Sequence, residues 1–268
     1  MARTLMFAGA LALLAAPALS GETVENPLTT SATWQSLQFD VLGDRPVSEA
    51  QSPLALDAPY RASDAATVPI VLRQTDPSVR IEAATLVIDE NPAPVAAELT
   101  FSESMAPVEF ELRVRVNRYS NVRVIAETPG GLFMSGRFVK ASGGCSAPAT
   151  RAPEVALANL GQMKLRTFEP APISTPRREA QIMLRHPNYS GLQRDQVSQL
   201  FIPAHFIDHL EVWQGDDRLF TMDGGISISE NPVFRFSYDD NGAPALTVRA
   251  TDTEGNRFEQ SLPKDAQG

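Results

Sequence analysis

One residue stands out chemically, because Cys145 is the only cysteine in the 268-residue chain. It lies in residues 140–148, where Gly143 and Gly144 precede it and Ser146 follows it. A lone cysteine forms no intrachain disulfide, so its thiol is free, masked or joined to another molecule. Most free cysteines are buried and inert, but glycine and proline at this density are typical of exposed chain. We therefore expect Cys145 to lie on a flexible, solvent-exposed arm.

A thiol on such an arm is better suited to carrying a covalently bound group between proteins than to catalysis. A nucleophilic cysteine needs a base within hydrogen-bonding distance and a shaped pocket, and a Gly-Gly hinge does not hold that geometry. The chain from Val139 to Cys145 can extend by about 20 Å, enough to enter the cleft of a neighbouring protein. We predict that the protein is not an enzyme. A thiol oxidoreductase or peroxidase stays open as an alternative, provided that Lys140 or Arg151 lowers the pKa of the thiol.

The rest of the sequence offers little other chemistry. It contains no glycine-rich phosphate-binding loop and no Gly-x-Ser-x-Gly motif, and we predict no bound cofactor. His205 and His209 lie four residues apart, but two imidazoles without a clear third ligand are weak support for zinc, so we predict no metal site. His186 opens a loop and is interpreted as structural. The glycosylation sequon at Asn188 is interpreted as a chance match.

Alternating apolar and polar residues predict β-strands in both halves of the chain. In the clearest strand, residues 108–116, apolar side chains face one way, and Glu109, Glu111, Arg113 and Arg115 face the other. Short turns rich in Gly, Pro, Asn and Asp separate the strands, without helical crossovers. This pattern is typical of immunoglobulin-like β-sandwiches.

The fold class is therefore predicted to be all-β, with two immunoglobulin-like β-sandwich domains. The first covers residues 31–141 and the second covers residues 160–264. Residues 142–159, rich in Gly, Ala and Pro, are predicted to form the cysteine arm and a flexible linker.

A short helix is predicted at the start of the first domain. Four large apolar residues recur at helical spacing and fall on one face: Trp34, Leu37, Val41 and Leu42. Ser31 or Thr33 can cap the start of this helix, and Gly43 can end it. We expect the helix to pack on the first domain, with Trp34 in the core.

Residues 1–20 are typical of a cleaved Sec-type signal peptide. Arg3 supplies the positive charge, an apolar run follows it, and small residues precede a cleavage site before Gly21. We therefore expect a periplasmic protein without a membrane span after cleavage. The net charge of −9 argues against nucleic acid or anionic lipid as a partner.

Several stretches resemble the proteins of the periplasmic Sox system. Residues 142–146 (Ser-Gly-Gly-Cys-Ser) resemble the Gly-Gly-Cys-Gly-Gly arm of its sulfur-carrying subunit SoxY, and residues 89–94 (Asp-Glu-Asn-Pro-Ala-Pro) also look like SoxY. The second half resembles the partner subunit SoxZ at residues 186–192, 202–207, 229–234 and 251–256. The whole chain resembles a fused SoxYZ carrier, of the subtype linked with quinoprotein dehydrogenases.

This resemblance implies a carrier that holds a sulfur-containing intermediate on Cys145, with Gly143, Gly144 and Ser146 as its flexible arm. It also implies that the two domains pack on each other. The partners would be periplasmic sulfur-oxidising enzymes, or a quinoprotein dehydrogenase and its cytochrome.

Two features differ from SoxY and leave the cargo open. The cysteine of SoxY lies at the extreme C-terminus, whereas Cys145 is internal. Ser146 and Ala147 also replace the glycines that follow the cysteine in SoxY. The alternative is a non-catalytic accessory or scaffold protein for a quinoprotein dehydrogenase, in which Cys145 is incidental.

Overall fold

A computed structural model describes residues 25–149, 153–168 and 176–264 of the chain. The first half contains α1 (Ala32–Leu42), β1 (Val47–Ser48), β2 (Leu54–Asp57), β3 (Val68–Gln74), β4 (Ala83–Ile88), β5 (Val95–Phe101), β6 (Glu109–Val114), β7 (Ser120–Thr128) and β8 (Gly131–Val139). The second half contains α2 (Pro153–Leu157), β9 (Met163–Phe168), β10 (Arg177–Leu184), β11 (Ile207–Gln214), β12 (Asp217–Gly224), β13 (Val233–Asp239), β14 (Ala245–Asp252) and β15 (Arg257–Pro263). The predicted all-β fold class is confirmed.

Helix α1 forms where the sequence predicts it. The backbone of Ser31 is extended, and its Oγ accepts a hydrogen bond from the N–H of Trp34 at 3.0 Å, which caps the first turn. Gly43 ends the helix with φ = 62°, a left-handed conformation that favours glycine. The buried side chains of the helix pack on strands of the first half, on these residues: Val87, Ile125, Leu132 and Met134. The expected place of Trp34 in this core is confirmed.

The strands of the described ranges form two sheets, and both sheets run through both halves of the chain. The larger sheet has the order β1-β8-β7-β4-β5-β12-β11-β14-β15, and the smaller has the order β2-β3-β6-β13-β10-β9. The halves join where β5 pairs with β12 and where β6 pairs with β13, both antiparallel. We call this double junction the seam. The prediction that the two halves pack on each other is confirmed, and they do so through main-chain pairing as well as side chains.

Aromatic side chains fill the core at the seam. Phe110 on β6 lies opposite Phe236 on β13, and its ring centroid is 5.0 Å from that of Phe220 on β12 in an edge-to-face arrangement. Such pairs stabilise beyond the area that they bury. Buried residues of both halves belong to the same hydrophobic cluster. The halves therefore share a core, and we expect them to unfold together.

Two expectations concern export and membrane insertion. Residues 1–20, the predicted signal peptide, lie outside the described residues. Neither α1 nor α2, the α-helices of the described ranges, is long and apolar enough to span a bilayer.

A substitution at the seam tests the shared core. We expect Phe110→Ala to lower the free energy of unfolding by about 3–5 kcal/mol, because it leaves a cavity among aromatic rings of both halves. Unfolding in urea, followed by fluorescence and circular dichroism, should keep one transition. Phe39→Ala is the matched control, since Phe39 is 65% exposed and its loss should change stability by less than about 0.5 kcal/mol. Separate transitions for the two halves would contradict the shared core.

Candidate functional site

The thiol of Cys145 is buried, so the expectation of an exposed, flexible arm is wrong for this segment. Cys145 is 0% exposed and lies in the one-turn 3-10 helix Gly144–Ser146. The N–H of Gly143 donates to the carbonyl oxygen of Asn117 at 2.9 Å, and the N–H of Gly144 donates to that of Val116 at 3.0 Å. These bonds attach residues 143–147, which we call the cysteine segment, to the first half.

The two glycines allow close packing and a turn. A Cβ atom on Gly144 would lie 2.0 Å from the carbonyl oxygen of Ala65, far closer than atoms can approach. Gly143 has φ = 79°, which disfavours residues with a side chain. The Gly-Gly pair therefore allows the cysteine segment to pack directly against the backbone of the first half. The two glycines are explained by this close packing rather than by a need for a mobile chain.

The second half holds the other side of the cysteine segment. The Oγ–H of Ser190 donates to the carbonyl oxygen of Cys145, and the side-chain amide of Gln193 donates to that of Ala147 at 2.9 Å. Ser190 and Gln193 are themselves buried. The Oε1 of Gln193 accepts from the N–H of Ser190 at 3.2 Å, so the two residues orient each other. The cysteine segment is thus enclosed between the halves.

Arg115 is a functional candidate that the sequence analysis misplaced. It was predicted on the charged outer face of its strand, but it is only 1% exposed. The strand β6 ends at Val114, and the next N–H, that of Arg115, donates to the carbonyl oxygen of Ser227 at 2.7 Å. The segment of the second half that contains Ser227 therefore covers the face that alternation assigned to solvent.

The guanidinium of Arg115 points towards the loop that also holds the cysteine segment. Its Nη2 donates to the carbonyl oxygen of Asn188 at 3.0 Å, two residues before Ser190. The Nε of Arg115 is buried and has no hydrogen-bond partner among the described residues. Periodicity could not reveal this arrangement, because the covering residues are more than seventy positions away in the sequence.

Burial sets the protonation of the thiol. It raises the pKa of Cys145 from 9.0 to about 11, although the nearby positive charge of Arg115 partly opposes this effect. The thiol is therefore protonated at neutral pH and is a weak nucleophile. The thiol-enzyme alternative required a lowered pKa, whereas burial raises the pKa of Cys145. Lys140, one of the two cations considered for that role, lies over the ring of Tyr60, and Arg151 lies outside the described residues.

A buried histidine–aspartate cluster supports the loop that carries Asn188 and Ser190. The Nε2 atoms of His186 and His205 lie 3.3 and 2.8 Å from Oδ2 of Asp252. The Nδ1 of His186 accepts from the N–H of Asn188 at 3.0 Å, so its Nε2 carries the proton that Asp252 accepts. His186, interpreted as structural, is part of this support.

The same three side chains are close enough to be considered as metal ligands. Their ligand atoms lie within 4.8 Å of one another, but Asp252 also accepts hydrogen bonds from the backbone and side-chain amides of Asn256. Burial would raise the pKa of Asp252, yet these bonds and those from the histidines lower it to about 2. Burial lowers the pKa of His186 to about 4. A neutral His186 therefore donates its Nε2 proton to a charged Asp252.

The remaining candidates from the sequence lie apart from the thiol. His209 is on β11, where its Nδ1 lies 2.6 Å from Oδ1 of Asp223, and it does not join His205 in a cluster. Asn188 of the sequon is 0% exposed, and its side-chain amide donates to the carbonyl oxygen of Ser229. A glycan could not be attached there in the folded protein.

The fold and the site define a fused, two-domain β-protein that encloses its one cysteine between the two halves. Residues 39–145 match the family model of the sulfur oxidation protein SoxY, and residues 174–263 match that of the sulphur oxidation protein SoxZ. The chain is therefore a fused SoxYZ-like protein, with a SoxY domain followed by a SoxZ domain.

Among solved structures, the chain is similar to the sulfur carrier protein SoxY from Chlorobium limicola f thiosulfatophilum. The identity is 23%, the TM-score is 0.35, and the match covers 41% of this chain and 97% of that chain. No curated protein sequence matches the chain.

The burial of the thiol predicts slow alkylation. At pH 7.5, iodoacetamide should modify native Cys145 at least about 100-fold more slowly than the unfolded chain, because a pKa of about 11 lowers the thiolate fraction by that factor. Mass spectrometry of samples quenched over time, with and without urea, gives both rates. Nearly equal rates would show that the segment is open in solution.

The same assay tests the hydrogen bond from Ser190 to the carbonyl oxygen of Cys145. Ser190→Ala should speed native labelling about fivefold, since one hydrogen bond contributes about 1 kcal/mol to the docked state. Ser198→Ala is the matched control in the same loop, because Ser198 is exposed and bonds only to Asp195 and its own loop. If both variants label at the wild-type rate, Ser190 does not hold the segment.

A further prediction separates close packing from mobility at the glycines. Gly144→Ala should lower the free energy of unfolding by about 2 kcal/mol or more, because the added methyl group collides with the backbone of Ala65. Gly130→Ala is the control, since its Cβ would meet only Thr128 at 3.6 Å and should change stability by less than about 0.5 kcal/mol. Urea unfolding measures both. A Gly144→Ala protein as stable as the wild type would argue for a free arm.

Proposed function

We propose that this protein is a non-catalytic periplasmic carrier, which holds a sulfur-containing intermediate covalently on Cys145 and presents it to sulfur-oxidising enzymes. The observation that carries the proposal is the position of the cysteine relative to the family matches. The SoxY match ends at Cys145, and the SoxZ match begins after it. The chain's only cysteine thus lies at the C-terminal end of the SoxY domain. The export-type sequence of residues 1–20 supports the periplasmic location.

The buried thiol is the resting state of this carrier. A protonated, enclosed thiol resists oxidation and stray disulfide exchange, which is useful for a carrier in an oxidising compartment. Loading requires the cysteine segment to leave Ser190 and Gln193. The hydrogen bonds that hold it are few, so a partner enzyme that binds the released segment can shift the equilibrium towards it.

The chemistry of loading assigns the catalytic work to the partner. Joining thiosulfate to a thiol forms one sulfur–sulfur bond and releases one proton and two electrons. The carrier supplies the sulfur atom of Cys145, and a redox enzyme with an electron-accepting cofactor takes the two electrons. The carrier therefore needs only to release the thiol and to retain the product.

The second candidate is a scaffold or accessory protein in which Cys145 is incidental. The observation that favours it is the complete burial of a thiol with a raised pKa, which is how an inert core cysteine behaves. The partner in that case would be a quinoprotein dehydrogenase with its cytochrome, as predicted from the subtype that the sequence resembles.

Intact-mass analysis of the protein from its native host tests the two candidates. A carrier should show, under conditions where the host oxidises sulfur compounds, an added mass that a reductant removes and that Cys145→Ser abolishes. Cys145→Ser should also abolish growth that depends on sulfur oxidation. Ser146→Ala is the control, since its hydroxyl bonds only within the segment, and it should keep the added mass. Unmodified thiol together with a wild-type phenotype for Cys145→Ser would favour the scaffold.

A further inference from the structure

Arg115 is a buried cation whose hydrogen bonding is incomplete. One donor, Nη2, reaches the carbonyl oxygen of Asn188, while Nε has no partner among the described residues. None of the ion pairs within 4.0 Å among the described residues includes Arg115. The side chain is nonetheless almost completely enclosed, with 1% exposure.

A buried guanidinium with an unpaired donor destabilises the folded protein unless an anion binds to it. A guanidinium stays protonated under all physiological conditions, and a buried charge without a close partner is strongly destabilising. Burial lowers the pKa of Arg115, and charge interactions with Cys145, Glu230 and Asp64 raise it. Neither carboxylate lies within ion-pair distance of Arg115, so the Nε of the guanidinium stays available to another anion.

The cysteine segment lies beside this cation. Gly144 donates its N–H to the carbonyl oxygen of Val116, the residue after Arg115. Arg115 and Cys145 also both bond to the same short loop, through Asn188 and Ser190 respectively. The two side chains influence each other's titration. The unloaded thiol is neutral, however, so it does not compensate the charge.

We propose that Arg115 is the counter-ion of a negatively charged sulfur adduct on Cys145 and holds the loaded segment between the two halves. This inference rests on the proposed function and extends it to a specificity: the site favours adducts that end in an anionic group, such as a sulfonate. Guanidinium donors match oxygen atoms of such groups in pairs. A neutral adduct of similar attachment gains nothing from Arg115.

Chemically installed adducts test this without a host or a partner enzyme. In urea, the thiolate of Cys145 attacks an inner sulfur of tetrathionate, forms an S–S bond and displaces thiosulfate, which leaves Cys–S–S–SO₃⁻. Methyl methanethiosulfonate reacts in the same way, displaces methanesulfinate and leaves the neutral Cys–S–S–CH₃. The full-length protein is then returned to buffer by dilution, and unmodified protein passes through the same cycle as a control.

The readout is the thermal unfolding midpoint of each form. For the wild type, we expect the anionic form to have a Tm at least about 4 °C above that of the neutral form, as one charge-assisted contact implies for a domain of this size. Arg115→Gln should abolish this difference, and Arg115→Lys should retain part of it. Arg113→Gln is the matched control, because Arg113 lies two residues earlier on the strand and is exposed, and it should retain the whole difference.

Several outcomes would overturn the role of Arg115. Equal midpoints for the two adducts, whether or not both fall below that of the unmodified protein, or a difference that persists in Arg115→Gln, would each do so. If Arg115→Gln does not fold, the comparison of the two wild-type adducts and the Arg115→Lys protein still decides. Failure of the carrier function would appear differently, as protein from the host without any adduct, whatever the chemically loaded forms show.

Discussion

Main-chain pairing across the seam is the constraint on which the rest of the structure depends. Because β5 pairs with β12 and β6 pairs with β13, both sheets continue from one half into the other. This pairing places the loop of the second half, residues 186–193, next to the end of β6, where it contacts the cysteine segment. Asp252 holds that loop through its contact with His186. A rigid junction therefore creates the enclosure around Cys145.

The enclosure contains two ionisable groups whose charged forms are costly to bury, a free thiol and a guanidinium. Neither improves the packing of the apolar core, and burial opposes the charged form of both. The backbone around Arg115 is nevertheless held firmly: Asn91 donates to its carbonyl oxygen at 2.7 Å and accepts from the N–H of Asn117. Asn91 belongs to the stretch that resembles SoxY. These bonds fix the cation beside the cysteine segment, where it can meet the adduct proposed above.

Local patterns predicted the elements well and the site poorly, for a physical reason. The cap at Ser31, the stop at Gly43 and the alternation of Phe110, Leu112 and Val114 depend on neighbours a few residues away, so the sequence contains the information. The burial of Cys145 and Arg115 depends on Ala65, Ser190 and Ser227, which no period relates to them. Gly143 and Gly144 show the ambiguity directly, because glycine serves a mobile hinge and a close backbone contact equally well.

The stability of the docked cysteine segment determines how strongly a partner enzyme must prefer the open segment. Two backbone bonds to the first half and the bonds from Ser190 and Gln193 hold it. At about 1 kcal/mol each these contribute about 4 kcal/mol, so about one molecule in a thousand is open at any time. Any enzyme that acts on Cys145 must therefore bind the open segment about a thousandfold more tightly than the docked one merely to populate the two states equally. This requirement makes Cys145 selective for its partners. A small oxidant contacts the open and docked segments equally and does not shift their populations, whereas a protein with a complementary cleft binds the open segment and does.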